Sequence, residues 1–214
     1  MQVNAVILDY GYTLSLAPSE EEFEALRMMT GMAAETFRKA YWHHRDSYDR
    51  GVLDGPAYWQ GIARDGERSL SPIQIENLIA RDKQLWDHPN PVMLAWAGLL
   101  SRRGVKMAIL SNMARDMSTY LRQTAKWLEP FSYLCFSGEL GIGKPNAAIY
   151  RTCLEGLRVP ASQALFIDDL AVNVVAAHGV GLHGVVFQTV EQLQTDLEPF
   201  GLAESLAEAR SATG

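Results

Sequence analysis

The chain alternates short apolar runs with longer segments of helical periodicity. Five apolar runs, bounded by glycine or polar residues, favour buried strands; they cover residues 3–8, 105–110, 133–136, 164–167 and 184–187. The later runs alternate with helix-patterned segments. Strands that alternate with helices are typical of a doubly wound parallel sheet, so the sequence predicts an α/β fold.

Residues 18–89 depart from this alternation. Their apolar positions follow helical spacing four times in succession, which predicts helices at 20–29, 33–49, 56–64 and 72–86. Before the last of these, Ser71 supplies an N-cap and Pro72 a first-turn proline, which together form a helix start signal. The sequence therefore predicts a helical domain, residues 18–89, inserted into a core domain made of residues 1–17 and 90–214.

Composition narrows the range of partners. The net charge is -6 and the chain has no block of lysine or arginine, so we expect no nucleic-acid partner and no anionic membrane surface. No apolar run approaches the ~20 residues that span a bilayer, and the amino terminus lacks a signal pattern. The two cysteines, Cys135 and Cys153, are expected to be buried thiols. These features favour a cytoplasmic protein with a small soluble substrate.

Polar side chains follow three of the predicted strands and one glycine-rich turn. They are Asp9, Ser111-Asn112, Lys144 and Asp168-Asp169. Ligands of an open parallel sheet bind outside the carboxyl ends of its strands, so we expect these groups to converge. Taken singly, each has a local explanation as a turn former, a helix N-cap or a solvated charge. Their order along the chain favours one shared site.

The residue types in these clusters suit phosphoryl transfer. A phosphate monoester is a dianion, so a carboxylate attacks its phosphorus only when cations and oriented donors offset the repulsion. We expect Asp9 to be the nucleophile, with Lys144 neutralising a phosphate oxygen and orienting Asp9. Ser111 and Asn112, with the amides of the following helix start, would bind the remaining oxygens. The product of attack would be an aspartyl-phosphate that water cleaves.

Magnesium is the cofactor expected at such a site, because it prefers oxygen ligands and neutralises phosphate charge. We predict that Asp9, the backbone carbonyl of Gly11 and Asp169 bind the ion directly. Asp168 would act through a water molecule.

One end of the second predicted helix combines rings, donors and a cation. These residues are Tyr41, Trp42, His43, His44, Arg45 and Tyr48. We predict that Arg45 and His44 bind the substrate. The alternative is a structural helix end, with packed rings and solvated histidines.

The order of these motifs resembles the haloacid dehalogenase (HAD) superfamily of hydrolases. The matches to its four motifs are Asp9 with Thr13, then Ser111, then Lys144-Pro145, then Asp168-Asp169. The resemblance implies a Rossmann-like core with a helical cap of the C1 type after the first motif, and a magnesium-dependent reaction. The run 166–173 is similar to the branch that contains sugar-phosphate phosphatases and the phosphatase half of soluble epoxide hydrolases.

Gly11 departs from the family pattern, which usually has a second aspartate here. That aspartate protonates the leaving group and later activates water, and glycine has no side chain for either task. A glycine here also resembles a variant among alpha-glucose-1-phosphate phosphatases. The expected function is a phosphatase of a small phosphorylated metabolite, such as a sugar phosphate. The alternatives are a catalytically silent phosphate-binding protein, motivated by Gly11, and a dehalogenase-type hydrolase, which the acidic pair Asp168-Asp169 disfavours.

Overall fold

The computed structural model describes residues 3–213, so the outer limits of the predicted core domain, residues 1 and 214, lie outside the described residues. Five parallel strands form one sheet in the order β3-β2-β1-β4-β5. They are β1 (Ala5–Leu8), β2 (Lys106–Ser111), β3 (Phe131–Phe136), β4 (Ala164–Asp168) and β5 (His183–Val186). Every predicted strand is present, with ends shifted by at most two residues, and the α/β fold is confirmed.

The central strands are apolar on both faces because helices cover both sides of the sheet. In β1, Val6 and Leu8 belong to one core cluster, while Ala5 and Ile7 belong to the other. All four side chains are fully buried. The period of two along a strand thus divides one short run between two cores.

The helices of the α/β core pack on both faces of this sheet. They are α5 (Pro91–Arg102), α6 (Arg115–Thr124), α7 (Ser137–Leu140), α8 (Ala147–Leu157), α9 (Ala171–Val180), α10 (Val190–Asp196) and α11 (Ala203–Thr213). Buried residues of α8 and α9 complete the smaller core, and those of α5, α6, α10 and α11 join the larger one. In the larger core the Trp96 indole donates a hydrogen bond of 2.8 Å to Ser205, joining α5 to α11.

Four helices between β1 and α5 form what we call the helical insertion. They are α1 (Glu20–Met28), α2 (Ala34–Asp49), α3 (Gly55–Asp65) and α4 (Pro72–Leu85). The four predicted helices are confirmed to within one residue at each end. Helix α4 begins as predicted, because Ser71 accepts a hydrogen bond from the Gln74 amide and Pro72 occupies the first turn.

The insertion is attached to the core by two connections that lie side by side. Ser15 and Pro89 form an antiparallel bridge, and the Leu16 amide donates 2.7 Å to the carbonyl of His88. The division into two domains at residues 18 and 89 stays a prediction. Among the described residues, every helix is too short or too polar to cross a lipid bilayer.

The insertion also contacts the helices that follow β2 and β3. The Tyr48 hydroxyl on α2 donates 2.8 Å to Asp116 on α6, and the Ser137 hydroxyl on α7 donates to the Asp49 carbonyl. Helices that follow strands of a parallel sheet begin at its carboxyl edge. The insertion therefore lies over that edge, which holds the polar clusters.

Candidate active site

The strand register brings three of the polar clusters to one level. Leu8 at the end of β1 is paired with Ile109 of β2 and with Ile167 of β4. The Asp9 amide donates 2.9 Å to the Ile167 carbonyl, which continues this pairing for one more residue. Parallel strands that end together present their next side chains at the same edge of the sheet. The predicted convergence therefore follows from the register.

A buried lysine joins two of the carboxylates. The ammonium of Lys144 lies 2.7 Å from Asp9 Oδ1 and 2.6 Å from Asp168 Oδ2, and the lysine side chain is 2% exposed. Asp168 also accepts hydrogen bonds from the Asn173 carboxamide, 2.9 Å, and the Leu170 amide, 2.8 Å. Asp168 is therefore saturated with donors and holds Lys144 in place.

The charges at the site exceed what Lys144 neutralises. Burial raises the pKa of Asp9, although the Lys144 charge lowers it in part. Burial also raises the pKa of Asp169 to about 6, and the charges of Asp9 and Asp168 add to that rise. The pKa of Lys144 is raised despite burial, because both carboxylates stabilise its charge. One ammonium thus faces three carboxyl groups, two of which resist ionisation.

This arrangement fits a divalent cation. Oxygen atoms of Asp9, Asp168 and Asp169 all lie within 4.8 Å of one another. Gly11, whose carbonyl was predicted as a further ligand, lines the same cavity as Asp9 and Asp169. A set of hard oxygen donors with surplus negative charge suits magnesium.

Asn112 is placed differently from its predicted contact with substrate. It lines the cavity, but its carboxamide makes two hydrogen bonds to the backbone of Lys144. The Asn112 amide nitrogen donates to the Lys144 carbonyl at 3.0 Å, and the Asn112 oxygen accepts from the Lys144 amide at 2.8 Å. A Cβ on Gly143 would lie 2.7 Å from the Asn112 Oδ1 atom. This close approach explains the glycine before Lys144, and it gives Asn112 a role in fixing that loop. Ser111 lines the cavity and is 3% exposed.

Gly11 lies in a tight turn, residues Tyr10–Leu14, that follows Asp9. The Ser15 amide closes the turn with a 2.7 Å hydrogen bond to the Tyr10 carbonyl. Gly11 has φ of -60°, and a Cβ built there meets no described atom within 4 Å. Neither the backbone nor the available space therefore requires a glycine at this position.

The site opens into a cavity of about 380 Å³ between the sheet edge and the helical insertion. The insertion contributes Trp42, Arg45, Asp46, Asp49 and Trp86. Trp42, Arg45, Asp46 and Asp49 occupy positions i, i+3, i+4 and i+7 of α2 and therefore share one face of that helix.

His44 is not brought to this cavity with the other predicted residues. It lies about 160° around α2 from Trp42, on the opposite side of the helix from the cavity. Its ring is hydrogen-bonded at 2.9 Å to Asp65 on α3. His43 lines a separate depression with Glu35 and Lys39. Within residues 3–213 neither histidine lines the cavity, so neither is placed to protonate a leaving group there. The spacing of residues along the predicted helix was the sequence signal that places His43 and His44 on other faces than Arg45.

Asn173 was missed as a site residue. It lies in the first turn of α9, is 4% exposed, and donates to Asp168 while its own carbonyl accepts from the Tyr150 hydroxyl at 2.9 Å. A polar residue on the buried face of a mostly apolar helix was the available signal.

A profile of haloacid dehalogenase-like hydrolases matches residues 6–181 of the chain. A haloacid dehalogenase-like hydrolase domain-containing protein of Xenopus laevis is 33% identical over 197 residues, which cover 84% of this chain and 79% of the relative. A phosphatase of Mycobacterium tuberculosis is 24% identical over 211 residues, with 94% and 96% covered. Two further curated relatives are longer, and the chain spans 36% and 10% of their lengths.

A solved structure of a HAD family enzyme from Bacteroides thetaiotaomicron, in complex with magnesium and inorganic phosphate, has a similar fold. The TM-score is 0.65 at 18% identity, and the match covers 87% of this chain and 94% of the other. At this identity the likeness establishes the fold.

Proposed function

Because the chain belongs to the haloacid dehalogenase-like hydrolases, we propose that it is a magnesium-dependent phosphatase acting on a small phosphorylated metabolite, such as a sugar phosphate. One observation carries the proposal: the carboxylates of Asp9, Asp168 and Asp169 meet within 4.8 Å, beside the Lys144 ammonium. The phosphatase relative and the phosphate-bound structure of similar fold support it.

Asp9 is the proposed nucleophile. Its carboxylate oxygen bonds to phosphorus as the bond to the leaving oxygen breaks, and water then cleaves the aspartyl-phosphate. Lys144, held by Asp168, keeps its proton and neutralises a phosphate oxygen. The Ser111 hydroxyl donates to another oxygen. Magnesium bound by Asp9, Asp169 and the Gly11 carbonyl would supply charge neutralisation at the phosphate.

The enzyme should hydrolyse phosphate esters with magnesium and stop when a chelator removes it. The pKa of Asp169 is about 6 in the metal-free chain, above its ordinary value, so protons compete with the ion below that pH. The apparent magnesium affinity should therefore fall as the pH falls from about 7 to about 5. Magnesium titrations of phosphatase activity across this range test the proposal. Turnover that persists in excess chelator would contradict it.

Two alternative functions would give results that differ from those of a phosphatase. A dehalogenase would release halide from 2-haloacids without added metal. A silent phosphate-binding protein, which Gly11 favours, would bind inorganic phosphate but hydrolyse none of a panel of aryl and sugar phosphates. The acidic pair Asp168-Asp169 supports the phosphatase, since carboxylates hold magnesium.

Gly11 predicts an unusual dependence on the leaving group. With no acid at this position, the rate should fall steeply as the leaving-group pKa rises, because general acid catalysis is worth about 10²–10⁴-fold. A Cβ at Gly11 meets open space, so Gly11→Asp should fit and speed alkyl phosphates by up to about 10²-fold.

The control for this variant is Gly179→Asp, because a Cβ at Gly179 also meets no described atom within 4 Å and that residue is outside the cavity. The measurement is the slope of log rate against leaving-group pKa, with chemistry rate-limiting. A native slope near zero, unchanged in Gly11→Asp, would show that another group donates the proton.

The proposed compartment is the cytoplasm. Cys135 and Cys153 are both buried and free, which accords with a reducing environment.

A further inference from the structure

The wall that the helical insertion presents to the cavity is poor in available positive charge. Arg45 and Lys144 are the cations that line the cavity within residues 3–213. Lys144 is occupied by Asp9 and Asp168 at the phosphate end. Among the cavity-lining residues of the described chain, Arg45 is therefore the cation left to meet the rest of a substrate.

The Arg45 guanidinium is already bound within the insertion. Its Nε atom donates to both Asp49 oxygens, 2.9 and 3.0 Å. Its Nη1 atom donates 2.6 Å to the Tyr41 hydroxyl and lies 3.3 Å from Asp82. The side chain is 13% exposed. The carboxylates of Asp49 and Asp82 therefore already offset the charge of Arg45, so this wall has no surplus positive charge with which to attract a substrate anion.

Carboxylates outnumber cations on this wall. Asp46 and Asp49 line the cavity, and Asp82 lies behind Arg45. Asp46 is bonded at 2.7 Å to Arg50, which lies outside the cavity lining; the two side chains are 65% and 43% exposed, so solvent weakens this pair and screens both charges. Even with Arg50 counted, the three carboxylates exceed the two guanidinium groups.

Two rings of this wall, Trp42 and Trp86, lie beside Tyr12 of the turn that follows β1, and all three line the cavity. Tyr12 and Trp42 stand nearly perpendicular to Trp86, at 81° and 83°, with ring centroids 5.7 and 6.2 Å away. Tyr12 and Trp42 are each 45% exposed. Tyr12 has φ of 56°, a left-handed conformation that is unfavourable for a bulky side chain and that is concentrated at functional sites.

We propose that this cavity selects phosphate esters whose alcohol portion carries no second anionic group, and that Tyr12, Trp42 and Trp86 contact an apolar face of that portion. The inference rests on the proposed phosphatase function. A carboxylate or second phosphate here would lose its water and face Asp46 and Asp49 without a free cation. A hydroxyl or ammonium group could donate to those same carboxylates.

Three phosphates with the same two-carbon skeleton test the charge rule. They are phosphoglycolate, 2-hydroxyethyl phosphate and 2-aminoethyl phosphate, which end in a carboxylate, a hydroxyl and an ammonium group. With magnesium at fixed ionic strength, kcat/KM for phosphoglycolate should be lower than for the other two by about tenfold or more. Equal or higher kcat/KM for phosphoglycolate would overturn the charge rule while leaving the phosphatase function intact.

Substitution of Asp46 links the selectivity to this wall. Asp46→Asn should raise the kcat/KM ratio of phosphoglycolate to 2-hydroxyethyl phosphate by about threefold or more, since it removes one repelling charge. Glu35→Gln is the control, because Glu35 is also an acid of α2 but lies outside this cavity. Equal changes in the kcat/KM ratio in both variants would show that the effect comes from the net charge of the protein, and would overturn the assignment to Asp46.

The proposed contact between the aromatic rings and the substrate needs a separate test. Trp42→Ala should raise KM for phenyl phosphate more than for 2-hydroxyethyl phosphate, because only the former has a ring to contact. Equal increases in KM for both substrates would overturn the role of this ring.

Binding measurements distinguish failure of this inference from failure of the proposed phosphatase function. The Asp9→Asn variant, which should not turn over, can be titrated with the three two-carbon phosphates in magnesium by calorimetry. Weakest binding of phosphoglycolate supports the charge rule even if the native chain hydrolyses none of them. Tightest binding of phosphoglycolate overturns the charge rule, whatever the turnover.

Discussion

Asp9→Asn should lower kcat by about 10⁴-fold or more, because it removes the nucleophile on which both chemical steps depend. The variant keeps the size of the side chain and loses its charge. Lys144 retains Asp168 as a partner at 2.6 Å, so the geometry of the loop should survive. Steady-state hydrolysis of an aryl phosphate measures the loss.

The same variant should be at least as stable as the native chain without metal. The pKa of Asp9 is raised by burial, so the folded state binds its proton more tightly than the unfolded state. This group therefore lowers stability as the pH rises above its unfolded pKa, and asparagine removes that effect. Urea unfolding at pH 7 checks this point.

Asp87→Asn is the matched control for activity, because Asp87 accepts a hydrogen bond from the Tyr120 hydroxyl outside the cavity. The kcat of this control should stay within about twofold of the native value. Native turnover in Asp9→Asn would exclude Asp9 as the nucleophile.

Lys144→Met should lower both activity and stability. Removal of the ammonium leaves Asp9 and Asp168 buried without their shared cation. Loss of one member of a buried ion pair lowers the free energy of unfolding by about 3–5 kcal/mol. The kcat should fall by about 10²–10³-fold, the usual effect of losing one group that stabilises transition-state charge. Urea unfolding and phosphatase assays measure the two effects.

Lys106→Met is the control for that variant. Lys106 is the first residue of β2, and its ammonium donates a hydrogen bond of 2.8 Å to the Leu157 carbonyl, away from the cavity. Magnesium should narrow the stability difference between Lys144→Met and the native chain and leave the difference between Lys106→Met and the native chain unchanged, since the ion can replace the lost charge only beside Asp9 and Asp169. A Lys144→Met protein with native kcat would contradict the proposed role of this lysine.

Much of the fold was predictable because its signals are local. The apolar run at residues 3–8 has the length and composition of a buried strand, and Ser71 with Pro72 marks the start of α4. Strand ends were less predictable. β3 begins at Phe131, two residues before the predicted start, where Ser132 is exposed and interrupts the apolar pattern. Pairing with β2, which depends on distant residues, extends the strand there.

The site was predictable to the extent that it depends on strand order. Asp9, Ser111 and Asp168 converge because parallel strands carry them to one edge. The side-chain contacts were not predictable in the same way. Asn112 looks like a phosphate ligand in the sequence, yet its partner is the Lys144 backbone 32 residues away. Such contacts depend on loop geometry that no local pattern encodes.

The helical insertion shows the same distinction. Arg45 and His44 are neighbours in sequence and were predicted to act together, but His44 lies on the side of α2 opposite Trp42. Spacing along α2 could have selected Trp42, Arg45, Asp46 and Asp49 as one face. The contacts of Arg45 with Asp49, Tyr41 and Asp82 could be seen only in the packed structure of the insertion.

The central claim is that Asp9 carries the phosphoryl group during turnover. Rapid acid quench with an aryl phosphate and magnesium, followed by digestion and mass spectrometry, locates that group directly. The account predicts a transient phosphoryl group on the peptide that contains Asp9, absent in Asp9→Asn and absent when a chelator is added before the substrate. Burst release of the aryl alcohol, with a phosphoryl group on another residue or on no residue of the chain, would contradict it.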